Sequence, residues 1–125
     1  MILADTSVWI EFLRGNREIF PALKSELETG NVVALECIFA ELLQGAVDHR
    51  ERRILLQYWE SLPRVDQAGL WIEAGEFAGR RRLGDGGVGL IDAVILLAAR
   101  KARAKLWTLD RNLSRLIRAG DRFSP

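Results

Sequence analysis

The chain has 125 residues, 49% of them hydrophobic and 28% charged, which excludes a disordered chain and predicts one domain over residues 1–125. Its net charge of +1 points to no class of partner by itself. Cys37 is the only cysteine, which excludes a disulfide framework, and the longest apolar run, residues 93–99, is too short to cross a bilayer. Because no basic segment precedes Asp5, we expect a cytoplasmic protein with no membrane contact.

Hydrophobic periodicity predicts short strands that alternate with amphipathic helices. Apolar runs predict strands at residues 2–4, 32–35, 63–65 and 105–109, of which the third is the weakest. Apolar residues at helical spacing predict helices at residues 6–14, 17–28, 36–46, 48–60, 67–83, 90–102 and 111–119. This alternation predicts an α/β fold in which a parallel sheet is connected by helical crossovers.

Asp5 follows the first predicted strand and precedes the first predicted helix. A carboxylate at that point lies where open α/β sheets bind ligands, at the carboxyl end of a strand. It can equally be the N-cap of the helix, as Asp often is. Asp110 repeats the arrangement after the strand at residues 105–109 and carries the same two interpretations.

Two further acids lie among apolar neighbours on predicted helices. Asp92 is the one charged residue in LIDAVILLAA, residues 90–99, and a carboxylate in a buried helix needs a cation, a cap role or a proton. Glu41 lies in FAELL, residues 39–43, where a partly exposed helical glutamate is the simpler interpretation. Each acid alone is weak support for a site.

Together, Asp5, Glu41, Asp92 and Asp110 can converge at one edge of a parallel sheet. Two unit charges about 4 Å apart repel by roughly 4 kcal/mol at an effective dielectric near 20, so four such groups call for a bound divalent cation. Oxygen ligands select Mg²⁺ or Mn²⁺, which activate water for phosphodiester hydrolysis. If these four acids hold metal, the remaining residues carry a net charge of +5, which suits a polyanionic substrate.

Four segments resemble the signatures of PIN-domain ribonucleases, in particular the VapC toxins of bacterial toxin–antitoxin pairs. They are ILADTS at residues 2–7, ELLQG at 41–45, IDAVILLA at 91–98 and LWTLD at 106–110. The resemblance runs from Met1 to about Leu113, and the four motifs occur in the family's order and spacing.

The resemblance implies a Rossmann-like three-layer α/β/α sandwich and a Mg²⁺- or Mn²⁺-dependent endoribonuclease. It implies a homodimer, and a VapB-type antitoxin that wraps the toxin and blocks its site, within a complex that can assemble further. The family's acids carry over onto Asp5, Glu41, Asp92 and Asp110, with Asp5, Asp92 and Asp110 as metal ligands.

The resemblance also assigns supporting residues around these acids. The hydroxyl residues that hold the first Asp match Ser7, less certainly Thr6, and Thr108. Many members have a second Asp where this chain has Asn112, and an amide is a poorer metal ligand, which argues against a second metal site.

Basic residues are the candidates for contacts with RNA phosphates. They are Arg80, Arg81, Arg82 and Arg111, and similarly Lys101, Arg103 and Arg115. A solvated helix face or a contact with an acidic antitoxin residue is an equal alternative for these residues. Two other functions stay open: a catalytically silent PIN-like binding module, and a phosphoacceptor receiver domain whose acceptor would be Asp66.

Overall fold

The computed structural model describes all residues from 1 to 125. Its strands are β1 (Ile2–Ala4) and β2 (Lys105–Trp107). Its helices are α1 (Thr6–Leu13), α2 (Ile19–Glu28), α3 (Glu36–Gln44), α4 (His49–Ser61), α5 (Leu70–Arg81), α6 (Leu90–Lys101) and α7 (Arg111–Ser114). Two 3-10 turns span Leu83–Gly86 and Ala119–Asp121. None of the helices is both long and apolar enough to cross a membrane.

A short parallel sheet joins segments that are distant in the sequence. β1 and β2 pair in parallel, with Ile2 opposite Lys105 and Ala4 opposite Trp107. Single parallel bridges extend the sheet on both sides, joining Ile2 to Val32, Ala34 to Arg64 and Leu106 to Arg122. The predicted α/β class with a short parallel sheet is confirmed.

The strands predicted at residues 32–35 and 63–65 form only these isolated bridges. Successive amides of the first segment donate to opposite neighbours: Val33 N–H to the Ile2 carbonyl at 2.9 Å, and Ala34 N–H to the Pro63 carbonyl at 2.8 Å. Leu35 is already the N-cap of α3, so the extended run ends before a continuous ladder can form.

The helix predicted at residues 111–119 is too long, because α7 ends at Ser114. The chain then turns back towards the sheet, where Phe123 N–H donates to the Leu106 carbonyl at 3.0 Å. A helix continued to residue 119 would carry the chain away from that edge of β2.

The helices form two packed groups around the sheet. α1 packs on α2 and α3, α3 packs on α4, and α5 packs on α6, while β1 contacts α1 and β2 contacts α6. Trp9 of α1 is 1% exposed, and its ring lies 5.2 Å from that of Phe39 and 5.3 Å from that of Tyr58. Such aromatic pairs add about 0.5–1.5 kcal/mol each to ordinary burial, so they fix the position of α1 and of Asp5 at its start.

Candidate active site

Asp5 begins the site at the carboxyl end of β1. Its side chain is the N-cap of α1 and accepts a hydrogen bond from the Val8 N–H at 3.2 Å. The Ser7 hydroxyl donates to the same oxygen, Oδ1, at 2.5 Å. Asp5 is 4% exposed and is the only buried charged residue of the chain, so both the cap and the strand-end interpretations apply to it.

The end of β2 is tied to Asp5 by hydroxyl groups. Thr108 donates its hydroxyl hydrogen to Asp5 Oδ2, and its oxygen accepts from the Asp110 N–H at 3.0 Å. The Ser7 oxygen accepts from the Leu109 N–H at 3.0 Å. These hydrogen bonds hold the carboxyl ends of the two strands together and fix the orientation of the Asp5 carboxylate.

Asp110 is the N-cap of α7. Its Oδ1 accepts hydrogen bonds from the backbone N–H groups of Asn112, at 2.8 Å, and Leu113, at 3.1 Å. The Asn112 amide packs against Gly87, where a Cβ atom would lie 2.7 Å from its nitrogen. Asn112 therefore connects α7 to the glycine-rich segment that leads into α6.

Glu41 lies on α3 and is held from α1. The Thr6 hydroxyl donates to Glu41 Oε1 at 3.0 Å. Thr6, also predicted to hold Asp5, makes no hydrogen bond to that side chain; the Asp5 carboxylate is held by Ser7 and Thr108 instead. The adjacent hydroxyl residues thus orient two different acids.

Asp92, in the first turn of α6, lies within the field of the other three acids. Its pKa is raised by burial, and then by the negative charges of Asp110, Asp5 and Glu41, while the Gly89 N–H partly offsets the shift. Burial also raises the pKa of Asp5, although hydrogen bonds from Ser7, Thr108 and Val8 lower it. The four predicted acids therefore lie close enough for the charges of three of them to act on the fourth.

None of these four carboxylates has a cationic partner. The ion pairs of the chain join other residues: Arg14–Glu11, Lys24–Glu28, Arg80–Glu76, Arg82–Asp85 and Lys101–Asp66. Uncompensated oxygen ligands suit a hard divalent cation. The carboxylate oxygens are thus suitable ligands for a metal ion. The side chains are not close enough together, however, for any three acidic, histidine or cysteine side chains to form a ligand set around one point.

Cys37 lies beside this site on α3. Burial, and next the charge of Glu41, raise the pKa of its thiol to about 11. The side chain is 8% exposed and forms no disulfide. The thiol is therefore protonated and unreactive at neutral pH.

The other acids near the site take different partners. Glu36, the first residue of α3, accepts a hydrogen bond from Gln67 Nε2 at 3.1 Å. Asp66 lies 3.9 Å from Lys101 and is not among the acids whose charges raise the pKa of Asp92. A phosphoacceptor must face the acidic cluster, so the position of Asp66 argues against a receiver domain.

The arginines predicted to bind RNA fall into two groups. Arg80 pairs with Glu76 at 3.1 Å, Arg82 pairs with Asp85 at 3.0 Å, and the Arg81 guanidinium lies 5.3 Å from the Phe77 ring. Arg111 instead lines a hollow beside Asp110 and has no ion pair. The structure thus brings only Arg111 of the four next to the acids. Arg115, which the sequence also predicts as a candidate, lines the same hollow, together with Arg122, which the sequence analysis does not single out.

Comparison with known proteins gives consistent matches over nearly the whole chain. A family model described as PIN domain matches residues 2–119. A protein named Ribonuclease VapC32, from two strains of Mycobacterium tuberculosis, is 36% identical over 115 residues, which cover 90% of this chain and 87% of that relative.

Two solved structures share the fold. A chain of a toxin–antitoxin complex from Klebsiella pneumoniae superposes with a TM-score of 0.69 at 18% identity, covering 93% of this chain and 92% of that one. A chain of FitAcB from Neisseria gonorrhoeae gives a TM-score of 0.60 at 21% identity, with 90% of each chain covered. Identities this low establish a common architecture and nothing finer.

Proposed function

This chain belongs to the PIN-domain family, and from that premise we propose that it is a metal-dependent endoribonuclease, the toxin of a type II toxin–antitoxin pair. The relative named Ribonuclease VapC32 supports the activity, and the four motifs that resemble those of VapC toxins support the biological role. The observation that carries the proposal is the cluster of four carboxylates around Asp92 without a cationic partner. We assign the whole chain, residues 1–125, to one PIN domain.

In this proposal Asp5, Asp92 and Asp110 are ligands of Mg²⁺ or Mn²⁺, directly or through water. Glu41 is either a further ligand or the group that orients the attacking water. A bound ion would activate that water and stabilise the charge that develops on the phosphodiester. Ser7 and Thr108 hold the Asp5 carboxylate, and Thr6 holds Glu41, so each acid keeps one orientation.

The proposal includes protein partners. We infer a VapB-type antitoxin that covers the acidic site, a homodimer of the toxin, and a larger toxin–antitoxin assembly. Growth arrest on expression, relieved when the reading frame beside the gene is expressed as well, tests the toxin role. Growth that is unaffected by the active enzyme would contradict it.

The enzymatic part is tested by replacing Asp92 with Asn. We expect cleavage of single-stranded RNA in Mn²⁺ to fall at least about 100-fold, because losing a metal ligand costs more than the 10- to 100-fold typical of outer-sphere partners. Mn²⁺ should raise the melting temperature of the parent protein and leave that of D92N nearly unchanged. Asp85→Asn is the matched control, since Asp85 is exposed and pairs with Arg82.

Two results would overturn the assignment. Undiminished cleavage by D92N would remove Asp92 from the site. A parent protein that binds Mn²⁺ without cleaving any RNA would instead indicate the catalytically silent binding module.

A further inference from the structure

The charges of this chain are separated along its length. Residues 100–125 hold eight basic and two acidic residues, a net charge of +6. Residues 1–99 hold ten basic and fifteen acidic residues, a net charge of −5. The net charge of +1 therefore conceals a strongly basic carboxyl-terminal segment.

Part of this segment forms a basic hollow at the carboxyl end of β2, which we call the near hollow. It has a volume of about 360 Å³ and is lined by Arg111, Arg115 and Arg122 together with Thr108 and Asp110. Two of its lining residues thus belong to the acidic site. Arg122 also donates to the Ser114 carbonyl at 2.5 Å, which holds its guanidinium in place without neutralising it.

A second hollow, the far hollow, lies at the amino end of β2. Its volume is about 420 Å³, and four cations line it: Arg100, Arg103, Lys105 and Arg118. Its floor includes the buried side chains of Leu106 and Ile117, and Asp121 is its single acid. An anion with an apolar part fits this combination.

The two hollows lie at opposite ends of one edge of the sheet. β2 runs from Lys105 at the far hollow towards Thr108 at the near hollow, a rise of roughly 10 Å for three residues. The returning chain lies alongside, with Arg122 bridged to Leu106. All seven cations are exposed, and none of them makes an ion pair.

Arg103, which lines the far hollow, has an unusual backbone conformation. Its φ of +53° places it in the left-handed region, at the end of α6, where Ala104 N–H donates to the Ala99 carbonyl at 2.9 Å. Glycine is the usual residue at this point of a helix end, because it has no Cβ to strain. Arg82 has the same conformation, with a φ of +50°, at the end of α5, so the positive φ of Arg103 marks a position where glycine can be tested and is not itself evidence of a ligand.

We propose that the near and far hollows form a continuous track for the sugar–phosphate backbone of single-stranded RNA, leading away from the acidic site. The inference rests on the proposed ribonuclease function and adds the substrate's path to it. Unpaired cations spaced along an edge match a repeating anion better than a single phosphate. The apolar floor of the far hollow accommodates a base or ribose.

The test measures binding of a fluorescent single-stranded RNA of about 20 nucleotides, by anisotropy, in EDTA at several salt concentrations. Arg103→Gln combined with Arg118→Gln should weaken binding about 10-fold at low salt. The slope of log affinity against log salt should fall by about 1.4, near 0.7 for each lost cation. Arg50→Gln combined with Arg53→Gln on α4, which also removes two exposed cations, should change neither quantity.

A second variant excludes misfolding as the cause. Arg103→Gly should raise the melting temperature by about 3 °C, because it relieves the positive φ, and should still weaken RNA binding. Equal slopes for the two double variants, or a parent protein that binds no RNA, would overturn the track. A far-hollow variant that binds RNA normally but no longer binds the antitoxin would assign the surface to a protein.

These outcomes are distinct from failure of the proposed function. Binding in EDTA requires no cleavage, so a protein that binds RNA through the track and never cleaves it contradicts the ribonuclease proposal alone. A protein that cleaves RNA, and whose RNA affinity is unchanged by the far-hollow substitutions, contradicts the track alone.

Discussion

Asp5 and Asp110 each combine a structural task with a place in the site. Both are N-caps, of α1 and α7, and both stand at strand ends among other acids. A cap carboxylate contributes about 1 kcal/mol to stability, so either residue would be retained for folding alone. For Asp5, however, burial outweighs the hydrogen bonds and raises its pKa, which means that its charged form is held at a cost.

Replacing Asp92 tests how much a partly buried charge in this site lowers the free energy of unfolding. Its raised pKa means that the folded chain binds a proton more tightly than the unfolded chain, so stability falls as pH rises above the unfolded value of 3.8. Asp92→Asn should therefore be more stable than the parent at pH 7, by about 1 kcal/mol or less because the half-buried group is partly screened. The gain should shrink as pH falls towards 4, as measured by urea unfolding in EDTA.

Opposing electrostatic effects decide whether Asp92→Asn stabilises or destabilises the protein. The charge of Asp92 interacts favourably with the start of α6, by about 0.3–1 kcal/mol, and the Gly89 N–H lowers its pKa. Burial and three neighbouring acids outweigh both. Asp85→Asn, at an exposed carboxylate, should bring no such gain in stability. A D92N protein less stable than its parent at pH 7 would show that the favourable interactions of the Asp92 charge with the start of α6 outweigh burial and repulsion.

At the scale of elements, the site depends on how α6 and α7 meet. A 3-10 turn at Leu83–Gly86 leads into the glycine-rich segment before α6, and Gly87, directly after this turn, lies against Asn112. Gly87 has a φ of +81°, so it is the point where both backbone conformation and close approach require glycine. This contact sets the distance between the acids at the starts of the two helices.

Gly87→Ala should therefore destabilise the protein by about 1–2 kcal/mol, through left-handed strain and displacement of Asn112. Gly30→Ala is the control, because Gly30 has a similar φ of +70° and a Cβ atom there meets nothing within 4 Å. Urea unfolding of the two variants compares them directly. An equal effect at both positions would show that the Asn112 contact carries no energy.

The acids could be predicted from sequence because each one interrupts an apolar pattern or ends a strand, as Asp92 does within α6. The extent of strand pairing in the sheet could not be predicted. Residues 32–35 have a strand composition, yet Leu35 is already the N-cap of α3, so the extended run is too short for a continuous ladder. The division between Thr6 and Ser7 was equally hidden, since it depends on which way each adjacent side chain leaves the first turn of α1.

Over the whole molecule, four acids without cationic partners form one cluster, and the carboxyl-terminal segment beside it has a net positive charge. A chain of net charge +1 would not attract RNA from a distance, but its basic edge can do so locally. Asp110 belongs to the acidic site and also begins the helix that carries Arg111 and Arg115. The acidic and basic surfaces therefore share one short element and cannot shift independently.

The buried thiol of Cys37 has a practical consequence. With a pKa of about 11 and 8% exposure, it should resist maleimide at pH 7 in the folded protein and react with one equivalent after denaturation. Mass spectrometry of the two samples measures this, and rapid modification of the folded protein would contradict it. A fluorophore can then be attached at a chosen position, such as Ser124→Cys beside the basic edge, while the native cysteine stays in place. Energy transfer from that dye to one end of a labelled RNA would report the direction in which the strand lies.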